Sequence, residues 1–410
     1  MSHLLVGAVS AVGPPVGVAA RVLTVEEIGE REHRLWRRLA EEAAVSSCTN
    51  VFFGPDMLLP AWRLLDDAAG VELLVVERDD HGEEDGRRWV LAVPLASPSR
   101  PWRHPVRMRG TWQHSQAFLG SPLVLPDATD AEWSALVRAV AGTGAAAWLA
   151  TDLDGSCARR LEQAAARLGL PTRRIDDHRR AVTRRRESND YATLTISGKN
   201  RKELRRLRRR LGDEADGVET VDLAEGAGAD DVRDAARQFL DLEAKGWKGA
   251  DGGAMASHDD QARFFEEACV ALASRGDLQL LCLRVGDGSP AAMGVNVRSG
   301  ATVSTWKIAY DERWSAYSPG VQLTLDCFSS FHDSGADVLD SCAKPGHDMA
   351  ERLHPDRRRI ATVAVGLGPA RGTVSVGTLV PWLRLRDRAR RALVAIRTHR
   401  PDRPRGRHQA

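Results

Sequence analysis

The chain has 410 residues, of which 43% are hydrophobic and 28% charged, with a formal net charge of +2. That length supports two or three domains with full cores, and so weak a global field means that any affinity for phosphate must come from local clustering of charge. No apolar run reaches bilayer length, and six dispersed cysteines without a C-x-x-C pair fit neither a structural zinc cluster nor a disulfide-dense scaffold, the pattern of a reduced, cytoplasmic protein without a metal.

In chain order, the opening "MSHLLVGAVSAVGPPVGVAARV" is mildly apolar, lacks a basic start and is broken by Pro14 and Pro15. It reads as a poorly ordered leader or a first strand, not a secretion signal. "TVEEIGEREHRLWRRLAEEAA" has helical spacing through Ile28, Leu35, Trp36 and Leu39, with acids near its start. "VELLVVERD" and "RRWVLAVPLA" read as strands joined by the polar "DHGEEDG" turn. An irregular stretch rich in Pro and Trp follows. Then come a helix, "AEWSALVRAVAG", a buried strand, "AAAWLATDL", a helix ending on Gly169, "CARRLEQAAARLGL", and an exit strand, "RRAVTR".

The second half repeats this grammar. Helices are expected around Val232 to Lys245 and Asp259 to Ser274. A meander follows, "LQLLCLRV", "AAMGVNVRS" and "ATVSTWKIAY", turning at "GDGSP" and "RSGA". The helix "SPGVQLTLDCFSSFHDSG" and the strand "ADVLDSCA" complete it, so an internal duplication is plausible at the level of element order. The tail from Pro381 is arginine-rich, with one apolar stripe and a low-complexity end.

Between the halves lies "SGKNRKELRRLRRRLGDEA". Leu204, Leu207 and Leu211 form one stripe; Lys199, Arg201, Lys202, Arg205, Arg206, Arg208, Arg209 and Arg210 cover the rest, with Glu203 the only acid among them. Self-repulsion on that scale is unfavourable unless an anion sits nearby; the plainer reading is a solvated face. Arginine has displaced lysine almost everywhere else, and all six lysines fall between Lys199 and Lys344. Their retention suits places where a compact ammonium is wanted and a planar guanidinium does not fit.

The segment "TWKIAYDERWSAYSPGVQL" holds two of the three tyrosines and Lys307. A half-buried strand ends near Asp311, Ser318 suits an N-cap, Pro319 the first helical position, and Gly320 permits close approach to the backbone. A strand feeding such a helix start is a ready anion site, because free amides and the positive dipole end point at the ligand.

The ordered set "SGKNRKELRRLRRRL", "FLDLEAKGWKG", "WKIAYDERWSAYSPGVQL" and "GADVLDSCA", with "NVFFGPDMLLPAW" and "FLGSPLV" upstream, resembles the BioF2-like (CelD-type) group of GNAT-type acyltransferases, related to the FemABX peptidyl transferases. The resemblance covers roughly residues 22–368. It implies an α/β fold with mixed sheets and tandem GNAT-like domains: residues 22–182, then 183–380 carrying the donor site, flanked by a leader (1–21) and a basic C-terminal helix and tail (381–410). It further implies an acyl group carried on coenzyme A. The pyrophosphate would sit at Ser318, Pro319, Gly320 and Val321, with Lys307, Lys199 and Arg205 as further donor contacts. The pantetheine would lie along the strand ending at Tyr310, in a gap against the strand ending near Asp340.

Acyl transfer needs a base for the attacking amine or hydroxyl and a partner for the departing thiolate. Asp311 or Glu243 suits the base, Tyr310 or Tyr317 the acid; Asp340 holds a typical ligand position at a strand's end; His347 is a further candidate base. Lys248, beside Trp247, suits an anionic donor or acceptor group. The group's usual tyrosine after the last core strand has no counterpart here, which leaves the acid open between these residues and water. Two alternatives remain beside an acyl-coenzyme A enzyme acting on a small molecule or saccharide: an aminoacyl-tRNA-dependent transferase, and a non-catalytic scaffold that binds an anionic partner.

Overall fold

In the computed structural model the described residues are 17–45, 49–80, 82, 86–96, 107–246, 249, 252–368, and 372, 374, 376–379 and 381–382. The expected leader and basic tail lie almost wholly outside them, as do Trp247 and Lys248.

Local chemistry sets the element boundaries of the first half. Strand β1 (Val18–Leu23) precedes helix α1 (Glu30–Ala43), which begins later than its apolar spacing suggests. Thr24 to Glu27 close a separate turn in which the Glu27 carboxylate accepts the Thr24 amide at 2.7 Å. Helix α2 (Pro55–Leu64) starts with Pro at its first position. Strands β2 (Glu72–Asp79), β3 (Arg87–Leu95), β4 (Met108–Gly110) and β5 (Leu123–Val124) follow. A capping box at Thr129 and Glu132 opens helix α3 (Asp130–Gly142). Strand β6 (Ala147–Asp154), helix α4 (Gly155–Arg167) and strand β7 (Thr172–Arg184) complete this half.

Helices α5 (Tyr191–Thr195) and α6 (Gly198–Glu214) lead to strand β8 (Val218–Asp222), then helices α7 (Ala229–Lys245) and α8 (Asp259–Ala273). The meander is β9 (Leu278–Val285), β10 (Pro290–Ser299) and β11 (Thr302–Tyr310). Helix α9 (Pro319–Asp333), strand β12 (Val338–Asp340), helix α10 (Asp348–Leu353) and strand β13 (Asp356–Gly366) follow.

Two sheets form among the described residues: one in the order β1-β2-β3-β5, the other β4-β6-β13-β7-β12-β11-β10-β9-β8. The larger sheet is mixed, parallel at β4/β6 and β11/β12 and antiparallel elsewhere. Mixed sheets flanked by helices are the expected α/β class. The division expected after residue 182 falls inside β7, and β13 inserts between β6 and β7, from Asp356 opposite Val182 to Val365 opposite Thr172. The halves therefore share one continuous sheet. Neither β8 nor β13 was expected, although "IATVAVG" in β13 is an apolar run bounded by charge.

The seam is stitched by buried polar contacts. The Trp306 indole donates to the Gln116 carbonyl at 2.9 Å, and the Gln116 side-chain amide donates to the Gln261 side-chain oxygen at 3.1 Å. Trp306 is the extra residue of a bulge, since Val295 opposes Lys307 but Asn296 opposes Thr305. The bulge aims its ring at Phe264 and Phe265 of α8.

His114 lies in this seam against Trp112 and Phe264. Burial pushes its pKa down to about 3, and burial likewise lowers His354, which contacts the Thr183 hydroxyl, to about 4. Both rings are neutral when folded and protonate near pH 6.5 when unfolded, so the unfolded chain binds more protons below that pH. Stability should therefore fall as pH drops from about 6.5 towards 4, with up to about 1.4 kcal/mol per pH unit for each ring. Denaturant titrations from pH 7 to pH 4 check this; His114→Phe should flatten the slope, and an unchanged slope would exclude His114 as its source.

Candidate active site

Strands β11 and β12 pair only at Thr302–Val338, Val303–Leu339 and Ser304–Asp340. There β12 ends, while β11 continues along β10 to Tyr310, opposite Ala292. Beyond Ser304 the β12-facing edge of β11 has no strand neighbour among the described residues, and its backbone groups are available to an extended ligand. A cavity of about 980 Å³ opens at its far end. Its walls are Ile308 to Tyr310 of β11, the first turn of α9, the C-terminal turn of α7, the helix α10 and the apolar stripe of α6 through Leu204 and Leu207.

The α9 entry follows from its sequence. Ser318 adopts φ 54°, in the left-handed region, before Pro319, which has no amide to satisfy. Ser318 stands at the expected cap position, yet its side chain makes no capping hydrogen bond. Instead its carbonyl accepts the amides of Val321 and Gln322, at 3.0 and 3.1 Å. That leaves the Gly320 amide as the first-turn donor without a backbone acceptor among the described residues, at the positive end of a 15-residue helix. A Cβ on Gly320 would stand 3.7 Å from the Tyr310 ring and 3.9 Å from Ile308. A seat for an anion here would therefore be narrower than the run from Ser318 to Val321 suggests.

Of the expected site residues, Tyr310, Glu243, His347, Ser318, Pro319, Gly320 and Val321 line this one cavity. Tyr310 is 37% exposed on its wall. Glu243 is only 4% exposed, held in the last turn of α7 with one carboxylate oxygen accepting the Met255 amide at 3.0 Å. His347 caps α10: its Nδ1 accepts the Ala350 amide at 3.4 Å, so a neutral ring carries its proton on Nε2.

The remaining candidates lie elsewhere. Asp311 is tied to the Arg313 guanidinium at 2.7 and 2.9 Å, which lowers its pKa and weakens it as a base. The Tyr317 hydroxyl donates to Glu214, which raises its pKa; the ring lies under Arg210. Lys307 points to the seam, with Nζ 5.6 Å from the Phe118 ring centroid. Lys199 and Arg205 sit on the outer face of α6, beside the cavity and not in it. Asp340 is buried at the seam, 2.9 Å from Arg358 and 3.7 Å from Arg180. Burial alone would raise its pKa; the two guanidinium groups more than offset this and hold it below the usual range.

Residues not singled out from sequence also line the cavity, among them Asn200, Met349 and Arg352. For α10 a signal existed: "PGHDMAERL" has a turn, a capping residue and first-turn acids, yet reads as a loop beside a lone histidine.

Residues 198–348 match the profile of a family described as an acetyltransferase (GNAT) domain. Among solved structures, that of FemX superposes with a TM-score of 0.55 at 11% identity, covering 84% of this chain and 96% of that one, which is a likeness of fold. A tandem GNAT protein from the clavulanic acid biosynthesis pathway (TM-score 0.42, 14% identity, 86% and 99% covered) and L-PGS from Bacillus licheniformis (0.44, 12%, 75% and 88%) are more distant. No curated protein matches the chain in sequence.

Proposed function

We propose that this chain, whose residues 198–348 match the profile of an acetyltransferase (GNAT) domain, is an acyltransferase that takes its acyl group from a coenzyme A thioester and passes it to an amine or hydroxyl of a small molecule or saccharide. The observation that carries this reading is the cavity in which the free edge of β11, the first turn of α9 and a buried carboxylate converge. The residues fit the group. The Gly320 amide and the dipole of α9 suit a pyrophosphate. The β11 edge suits the amide-bearing pantetheine arm, and an apolar wall from Leu204, Leu207 and Ile308 suits its chain.

Coenzyme A, when bound, supplies the activated carbonyl and the thiolate leaving group. The chain's own residues do the rest. Glu243 takes the proton of the attacking amine or hydroxyl as the new bond to the carbonyl carbon forms. Free amides on the β11 edge stabilise the oxyanion. The C–S bond then breaks, and the thiolate receives a proton from the Tyr310 hydroxyl or is stabilised by the His347 Nε2–H. A calorimetric titration with coenzyme A tests the donor; absence of binding refutes it. Glu243→Gln, which still accepts the Met255 amide, should lower kcat on the order of 10²-fold with coenzyme A affinity unchanged, measured as thiol release with a panel of amines and alcohols; an unaltered kcat would remove Glu243 from the chemistry.

An aminoacyl-tRNA donor is the second reading, supported by the cation-rich face of α6. Its binding would fall steeply with salt, whereas coenzyme A brings few charges.

A further inference from the structure

The chemistry of the cavity makes no use of the outer face of α6. Lys199, Lys202, Arg205 and Arg209 are exposed there, and none makes an ion pair among the described residues. On the same helix Arg206 is satisfied by Glu203 at 2.6 Å and Arg208 by Asp326 at 2.8 Å. Like charges one turn apart destabilise a helix, so leaving four unpaired costs stability unless an anionic partner visits. The four span eleven positions, about 15 Å of axis from first to last, and border a shallow depression of about 1200 Å³. Asn200 and Glu203 belong both to that depression and to the cavity, so the cationic face begins at the cavity mouth.

Three anionic partners compete. The phosphates of coenzyme A are few, and its pyrophosphate has a seat at α9. RNA would favour aromatic side chains for base stacking, and none borders the depression. An acidic helical protein matches a 15 Å cationic stripe in length and sign, and complementary charge of this kind sets encounter rate and register.

We propose that α6 is the docking face for an acidic carrier protein, which delivers the acyl thioester on a phosphopantetheine arm into the cavity. The inference rests on the acyl-thioester reading of that cavity and narrows the donor. A carrier-borne arm ends in the same thioester and the same amide-bearing chain as coenzyme A; carboxylates of the carrier take the place of the nucleotide's charges.

The test uses two hydrolysis-resistant probes bearing one acyl group as an amide: an acidic acyl carrier protein, and coenzyme A. Binding is measured by calorimetry at low salt for the wild type, for Lys202→Glu/Arg209→Glu, and for the milder Lys202→Gln/Arg209→Gln, with thermal melting to verify folding. Carrier affinity should fall at least 30-fold in the charge-reversed variant and less in the neutralised one, with coenzyme A amide affinity held within twofold. Wild-type carrier affinity should weaken steeply with salt. Equal losses for both probes would overturn the proposal in favour of a nucleotide site, and unchanged carrier binding would return α6 to an ordinary solvated face. Bulk transfer RNA that binds more tightly than the carrier, and is lost in the same variants, would overturn it in favour of RNA. A wild type that binds the carrier but not the coenzyme A amide supports the docking face while refuting coenzyme A as donor; the reverse result overturns docking alone.

Discussion

Asp340→Ala should lower the free energy of unfolding by about 3–5 kcal/mol, the cost of breaking a buried ion pair from one side. The carboxylate is 2% exposed, and its Oδ2 faces Arg358 at 2.9 Å and Arg180 at 3.7 Å. Its Oδ1 accepts the Cys342 amide at 2.9 Å. Arg358 also reaches Asp154 at 2.8 Å, so four charges balance at the seam. Removing one leaves two buried guanidinium groups with a single carboxylate. Asp340→Asn keeps an acceptor for Cys342 and loses only the charge, so it should fall between the wild type and alanine. Because the folded pKa lies below the unfolded one, the stabilisation is present above about pH 4 and is lost as pH falls through the folded value; the alanine variant should lack that acid branch. Denaturant midpoints across pH measure this. Full stability with abolished transfer would instead make Asp340 a participant in the chemistry.

Gly320→Leu should weaken coenzyme A binding more than about 100-fold, since a bulky side chain in a filled site is not accommodated by a close-packed wall. Gly320→Ala is the control. Its Cβ meets Tyr310 and Ile308 at ordinary contact distance, and Gly320 has no positive φ, so alanine fits. Alanine should even stabilise α9 by about 0.5–1 kcal/mol through helix propensity. Leucine sends further carbons beyond that contact into the cavity, where the anion would approach the free amide. Calorimetric affinity close to wild type for the leucine variant would mean that the pyrophosphate sits elsewhere.

The elements that speak in the sequence are those whose signals are local. The helix α3, the three-strand meander and the strand-to-helix entry at Ser318-Pro319 each declare themselves within a few residues, and each is present. Strand β13 was missed for the opposite reason: it is an edge-free strand whose partners lie roughly 170–220 residues upstream in β7 and β6. Alternation cannot announce such a pairing. Among the site candidates, sequence brought Tyr310, Glu243, His347 and the α9 turn onto the page, and these share one cavity. Asp311 and Tyr317 flank the same turn in sequence but point to Arg313 and Glu214. Which way a side chain points in an irregular turn depends on the partner it finds, and Glu214 is 103 residues away.

The amino-acid sequence by itself determined the types of most elements, the α/β class and the cationic face of α6, because period, capping and charge act over one or two turns of chain. Tertiary structure alone decided that both halves share a sheet, that Asp340 is locked in an ion-pair network and that Glu243 faces Tyr310's cavity. Those outcomes depend on burial and on partners distant in the chain, where desolvation makes an unpaired charge too costly to leave to chance.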